Sequence, residues 1–307
     1  MSALAFDHAS DLDLMLFRQD GVISAAQARA FHTAAAIEHR VASGRWQRLH
    51  RGVLSTENGA VRHGQRLWCA VLACGPDAFL AGLTAIAADG LRSPGFVVDV
   101  LIPLSRRVIR PPRGVVVHRS SVMPEADLHR MAGPPRTRTA RSLVDAAAWS
   151  TSDAVRAAIA DAFRRRLVGL DQVLDVLDRL PRAKNRAWVG QVARDAAGGA
   201  HSLAELNYLE LGRRSGLPEP SRQVVRRTTN GGRRYLDVRY DEWGVHLEID
   251  GGQHLDAAAL WADMKRQNEI WIPGDRILRF PAWVVRERPD EVIAQVRAAL
   301  RAAGWRG

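Results

Sequence analysis

The sequence predicts a mixed α/β chain, α+β in type: an N-terminal winged helix-turn-helix, an α/β middle portion and a C-terminal αβββαβ core. Three observations predict it. Residues 20–57 hold two short helical starts followed by an extended basic run. Residues 62–197 interleave helical periodicity with short β-branched runs, and after a glycine pair the last third opens on a helix, turns at Asn230-Gly231 and closes on another helix.

In the first part, "DGVISAAQARAFHTAAAIEHRVASGRWQRLHRGVLST", Ser24 with Gln27 three residues later is a capping-box start. Thr33 opens a second helix that runs through Ile37 and Val41 and stops at Gly44. Two short helices with a tight turn predict a helix-turn-helix, and "RWQRLHRGVL" alternates bulky and basic residues as a two-stranded wing would. The pattern puts Thr33, Ala34, Ala35, Glu38 and His39 at the exposed start of a recognition helix, with Arg45, Arg48 and Arg51 within reach of a DNA backbone. A helical pair with a hairpin used only for packing or dimerisation has the same pattern.

Helical patterns cover roughly 62–74, 78–90, 138–149, 152–167, 170–180 and 185–197, while "GFVVDVLIP" and "GVVVHRS" read as strands. Arg106, Arg107, Arg110 and Arg113 fall between those strands. Arg164, Arg165 and Arg166 end a helix, where they complement its dipole or meet phosphate. Gly198 and Gly199 mark the clearest boundary, giving segments 1–58, 59–197 and 198–307.

The chain carries a formal charge of +11, from 44 Lys and Arg against 33 Asp and Glu, and all the basic residues but Lys184 and Lys265 are arginine. The guanidinium fork suits phosphate. Residues 61–200 hold most of the excess, 21 basic against 12 acidic, while residues 1–60 balance. Cys69 and Cys74 lack histidines at zinc-ligand spacing and read as small buried hydrophobes. Without a long apolar run, and with Asp7, Asp11 and Asp13 where a signal peptide would be basic, the expected location is the cytoplasm.

In the last third, Ser202 and Glu205 form another capping box, "RQVVRRTTNGGRRYLDVRY" is two β-rich runs around Asn230-Gly231, and "VHLEIDGGQH" is a third strand. "LDAAALWADMKRQNEIW" reads as a helix, "RILRF" as a fourth strand, and Pro289, Asp290 and Glu291 begin the final helix. On the second strand Leu236 and Val238 share one face and Tyr235, Asp237 and Arg239 the other; on the third, Leu247 and Ile249 oppose His246, Glu248 and Asp250. Pairing would gather Asp237, Glu248 and Asp250, with Glu205 arriving from the helix. Like charges so close are costly unless a divalent cation sits among them. A hard cation such as Mg²⁺ on carboxylates, activating water against a phosphodiester, is the chemistry this pattern points to. Trp261, Trp271 and Trp283 read as core or interface residues.

From about His201 to Leu300 the chain resembles PD-(D/E)xK-superfamily nucleases, specifically the group similar to very-short-patch-repair (Vsr) endonucleases. The resemblance rests on Glu205, Asp237 in "YLDVRY", Glu248 and Asp250 in "LEIDGGQH", Asp263 and Arg266 in "ADMKRQNEI", and the closing "ILRF". It implies a restriction-endonuclease-like core in which Asp237, Glu248 and the carbonyl of Ile249 hold Mg²⁺ or Mn²⁺, supported by Glu205, with polar help from Asp250, Gln253 and His254. Where the superfamily has lysine this chain has Asp250, so Lys265 as a displaced cation, or His254 as a general base, would have to serve. Arg226, Arg227, Gln253 and Arg266 are then expected DNA contacts.

The N-terminal portion, with "HRGVL", "LACGPDAFLAGLTAIAADGL" and "VDVLIP", resembles the winged-helix region of AbiEi-family antitoxins of type IV toxin-antitoxin systems. That likeness implies DNA binding and autoregulation without catalysis, and the expected partners of the chain are DNA and a cognate toxin or repair protein. Two expectations therefore stand: a metal-dependent DNA endonuclease serving repair or phage defence, or an inactive DNA-binding regulator.

Overall fold

The computed structural model describes residues 9–91, 95–108, 110–197, 203–221, 225–227, 233–235, 238–250, 261, 264–266, 268 and 276–307, with the backbone alone at 203, 225–227, 233–235 and 250. The chain is mixed α/β and divides into two compact units. One comprises Met1–Ser150 and Gln172–Arg186, the other Thr151–Asp171 and Ala187–Gly307. This grouping cuts across the three segments read from the sequence, joining residues 151–171 and 187–197 to the C-terminal part. Among the described residues no helix is long and apolar enough to cross a membrane.

The first unit begins with α1 (Asp11–Arg18), β1 (Val22–Ser24), α2 (Ala25–Arg29), α3 (Ala34–Ala42), β2 (Gln47–His50) and β3 (Val53–Ser55). The three strands form an antiparallel sheet in the order β1-β3-β2. The capping box at the start of α2 is present, Ser24 Oγ accepting from the Gln27 N–H at 3.1 Å and Gln27 Oε1 from the Ser24 N–H at 2.9 Å. Ile23, Ala28, Ile37, Trp46 and Leu54 form the core between helices and sheet. Gly44, at φ +71°, ends α3 in a left-handed turn that a β-carbon would strain.

α4 (His63–Cys74) is buried almost all round: Trp68 and Cys69 pack with Val22 and Val53, while Leu67, Ala70, Val71 and Cys74 pack on a second sheet. Burial pushes both thiols up to about 11, so neither is a ready nucleophile. The second sheet has the order β6-β5-β4-β8-β7, built from β4 (Phe79–Leu80), β5 (Val98–Pro103), β6 (Val115–Ser120), β7 (Leu128–His129) and β8 (Arg136–Thr137). β5 and β6 run parallel, as do β4 and β8; β4 is antiparallel to β5 and β7 to β8. The helix expected over 78–90 is therefore corrected. Phe79 and Leu80 are a central strand, and α5 (Gly82–Ala88) starts only after them, because Gly82 at φ +55° breaks the run.

α6 (Thr139–Trp149) carries Arg141 into this unit at 1% exposure. Its guanidinium donates to Asp145 (2.9 Å), Asp127 (3.1 Å), the Val122 carbonyl (2.8 Å) and Ser120 Oγ (3.2 Å), and Arg179 of α8 (Leu170–Arg179) also pairs with Asp127. Burial raises Asp145 to about 6 against the pull of Arg141. Because this folded value lies above the ordinary carboxylate range near 4, the folded unit holds that proton more tightly than the unfolded chain. The stabilising contribution of this carboxyl is thus complete at low pH and is lost as pH rises from about 4 through about 6. Urea titrations should show this part of the slope flattened in Asp145→Asn, and an unaltered slope would refute the assignment.

The second unit joins α7 (Ser152–Arg164) and α9 (Arg186–Ala197) to α10 (Leu203–Arg214). Its polar contacts explain the grouping. Arg156 of α7 pairs with Glu210 and donates to Asn207 at 2.9 Å, both on α10, while Arg213 of α10 grips Asp195 of α9 through two 2.7 Å bonds. β9 (Val225–Arg227) and β10 (Arg233–Tyr235) pair as the expected hairpin, Arg227 opposite Arg233. β11 (Val238–Tyr240), β12 (Val245–Asp250) and β13 (Arg276–Pro281) form a separate sheet in that order, antiparallel then parallel. The single strand read across "RRYLDVRY" is thus two strands in different sheets. The helix Ala282–Glu287, which the pattern did not announce, precedes the expected final helix Pro289–Ala302. The core holds Tyr208, Tyr240, Leu247, Trp261, Phe280, Val292 and Val296; Trp261 is core as expected, and Trp283 packs against it, partly buried.

Candidate functional site

At the N-terminal end, α3 is oriented by its own sequence. Thr33 Oγ1 accepts from the Ala36 N–H at 3.2 Å, and Ile37, 6% exposed, with Val41 anchors one face. That leaves Thr33, Ala34, Ala35, Glu38 and His39 exposed, as the spacing predicts. Arg40 lies over the Trp46 ring at 5.5 Å, fixing the turn into the hairpin, while Asn58 Nδ2 donates to the Gly44 carbonyl at 2.9 Å and Gln47 Nε2 to the Gly59 carbonyl at 2.8 Å. Arg45, Arg48 and Arg51 are exposed. Arg48 donates to both oxygens of Glu38, at 3.1 and 3.2 Å, whereas Arg45 and Arg51 make no ion pair among the described residues. An exposed pair such as Arg48–Glu38 is worth at most about 1 kcal/mol, little enough for a phosphate to displace.

In the C-terminal unit, Glu205 in the first turn of α10 is 7% exposed, and Ser202, its expected capping-box partner, lies outside the described residues. One turn on, the Tyr208 hydroxyl meets that of Tyr240 at 2.8 Å, and residues three apart share a helix face, so Glu205 lies on the side of α10 turned to β11. Both phenols are pushed up by burial, Tyr240 to about 12, and stay protonated as a core bond. On β12, Val245 and Leu247 are fully buried, and His246 on the opposite face is also buried at 2%, where the alternation predicts a polar surface. The sheet is covered on both sides there, and further along the strand the Glu248 side chain is 20% exposed.

Glu248 stands opposite Arg279 of β13 and accepts from its Nε at 2.9 Å. Asn268 anchors that arginine's backbone, accepting from its N–H at 2.9 Å and donating to its carbonyl at 3.0 Å. Ile249 packs on the core and stands opposite Phe280. Lys265 is committed to Glu291 at 3.2 Å, at the start of the last helix, and Arg266 is exposed. Asp237, Gln253, His254 and Asp263 lie outside the described residues, as do the side chains of Asp250, Arg226 and Arg227. Glu205 and Glu248 have the oxygen-donor chemistry a hard cation needs. Among the described residues, however, no three acidic, imidazole or thiol groups converge as a metal site.

Sequence reasoning missed the arginine partners of Glu248 and Glu38. Arg279 could have been found in "RILRF", since a parallel strand after a crossover helix puts one of its residues beside each residue of β12. The Arg48–Glu38 pair had no sequence signal, because it depends on how the hairpin folds over α3. No protein-family model matches the chain, and no curated protein matches it.

Proposed function

We propose that the protein binds duplex DNA through a winged helix-turn-helix formed by α3 and the β2–β3 hairpin, and that its C-terminal unit is a Mg²⁺- or Mn²⁺-dependent endonuclease. The observation that carries the first part is the exposed start of α3 beside a hairpin whose Arg45 and Arg51 make no ion pair among the described residues. Helix residues Thr33, Ala35 and His39 face the groove, and the arginines neutralise phosphates.

The second part is supported by the strand order around β12, by Glu205 on the α10 face turned to β11, and by the partly exposed Glu248 of β12. Asp237, Glu248 and the Ile249 carbonyl would hold the cation, with Glu205, Asp250, Gln253 and His254 around them. A cation bound there would activate water and offset charge on the leaving oxygen. Arg226, Arg227 and Arg266 would bind the DNA backbone. Lys265, paired with Glu291 in the described structure, or His254 would serve in place of the missing lysine.

The Glu248–Arg279 pair favours a second reading, because a carboxylate already satisfied by arginine needs no cation. In it the C-terminal unit is an inactive interaction module of a DNA-binding regulator of antitoxin type. Plasmid nicking with Mg²⁺ or Mn²⁺ separates the two. We expect nicking by the wild type and none by Asp237→Ala or Glu248→Ala, with binding retained in all three. Binding without cleavage in either metal establishes the regulator, and nicking by both variants shows the site to be misplaced.

A further inference from the structure

The crossover between β5 and β6 sits against the hairpin proposed to grip DNA. His50 at the end of β2 donates from Nε2 to the Arg110 carbonyl at 3.0 Å. Arg51 is the next residue of the hairpin, so the two loops are adjacent within the same unit.

The crossover reads "LSRRVIRPPR" from Leu104 to Arg113, four arginines without a single acidic residue. Its two ends are held by backbone bonds: the Leu104 N–H donates to the Ser120 carbonyl at 2.8 Å, the Arg106 N–H to the Pro103 carbonyl at 3.0 Å and the Val115 N–H to the Pro112 carbonyl at 3.0 Å. Pro111 and Pro112 remove further freedom. Arg106 is tucked in, its guanidinium so near Gly75 that a β-carbon there would meet it at 2.5 Å. Arg107, Arg110 and Arg113 are exposed and make no ion pair among the described residues. Elsewhere in the unit Arg48, Arg62, Arg130, Arg136, Arg141 and Arg179 pair with carboxylates, while Arg45, Arg51, Arg66, Arg138 and Arg182 make no ion pair among the described residues. Among the described residues, this crossover thus keeps three guanidiniums without an ion pair beside the hairpin, so positive charge continues past Arg51.

We propose that this crossover is a second phosphate-contacting element, through which Arg107, Arg110 and Arg113 extend the grip on duplex DNA beyond α3 and the hairpin. This rests on the DNA-binding reading above. Each phosphate neutralised contributes about 0.9 to the slope of log affinity against log salt. Removing all three arginines should therefore lower that slope by about 2 to 3 and weaken binding at least about tenfold, alike for every sequence. The loss should be confined to duplexes long enough to reach the crossover, about two helical turns rather than one.

The test is fluorescence anisotropy of the full chain on duplexes of both lengths across a salt series. It compares the wild type with R107A/R110A/R113A, with the charge-keeping R107K/R110K/R113K, and with R66A/R138A/R182A, which removes three other exposed arginines of the same unit. The expected result is a reduced slope for the alanine crossover variant on the long duplex alone, largely restored by lysine and absent from the control. An unchanged slope, or an equal drop in the control, overturns the proposal. If R45A/R48A/R51A abolishes binding while the crossover variant does not alter it, only this inference fails; if the wild type binds neither duplex, the DNA-binding reading fails with it.

Discussion

Arg141→Met should destabilise the first unit by about 3–5 kcal/mol, the range found when one partner of a buried ion pair is removed. For a unit of this size that lowers its melting temperature by roughly 10 °C. The residue is 1% exposed and its side chain makes hydrogen bonds to two carboxylates, a carbonyl and a hydroxyl, so methionine fills the volume but satisfies none of them. Asp127 keeps Arg179, whereas Asp145, 8% exposed, loses the arginine that partly offsets its burial. The damage therefore has a pH signature: near pH 5 Asp145 can take a proton and the deficit shrinks, while at pH 8 it must stay charged or bind a proton at further cost. Adding Asp145→Asn should recover a good part of the loss, because an uncompensated charge costs more than a neutral amide. Calorimetry of the three proteins at both pH values decides. A melting point within about 2 °C of the wild type would mean that the cluster is not held as described.

How much of this was legible depends on whether the signal is local. Ser24 with Gln27, Thr33, Gly44 and the Asn230-Gly231 turn act through neighbours in sequence, and the elements they announce are present. Strands of two residues leave no period to read. β4, β7 and β8 exist because neighbours supply their hydrogen bonds, and Phe79 and Leu80 were absorbed into a helix for that reason. The expected boundary at Gly198 shows the same limit at a larger scale. Composition marks a break there, yet Arg156 and Asp195 bind α7 and α9 to α10, and no local pattern says which helix a lone arginine will meet. At the candidate site the positions of Glu205 and Glu248 followed from the helix start and strand alternation. The burial of His246 and the pairing of Glu248 with Arg279 depend on what covers the sheet.

That pairing makes the second large prediction. If Glu248 is a metal ligand, its carboxylate is contested: Arg279 holds one oxygen at 2.9 Å, and a cation must approach against the guanidinium's positive charge. The side chains are 40% and 20% exposed, so water screens the competition to about 1 kcal/mol, or roughly fivefold in affinity. Arg279→Met should then lower the Mg²⁺ or Mn²⁺ concentration for half-maximal nicking by about fivefold, even though it removes a native contact. Glu248→Gln should raise that concentration at least about a hundredfold, since loss even of groups that merely support metal ligands costs up to that much. The opposite signs carry the argument, because partners in a purely structural ion pair fail in the same direction. Should both substitutions lower the melting temperature together and leave the metal response untouched, Glu248 is a strand-pairing residue, and the catalytic reading of the C-terminal unit gives way to the regulatory one.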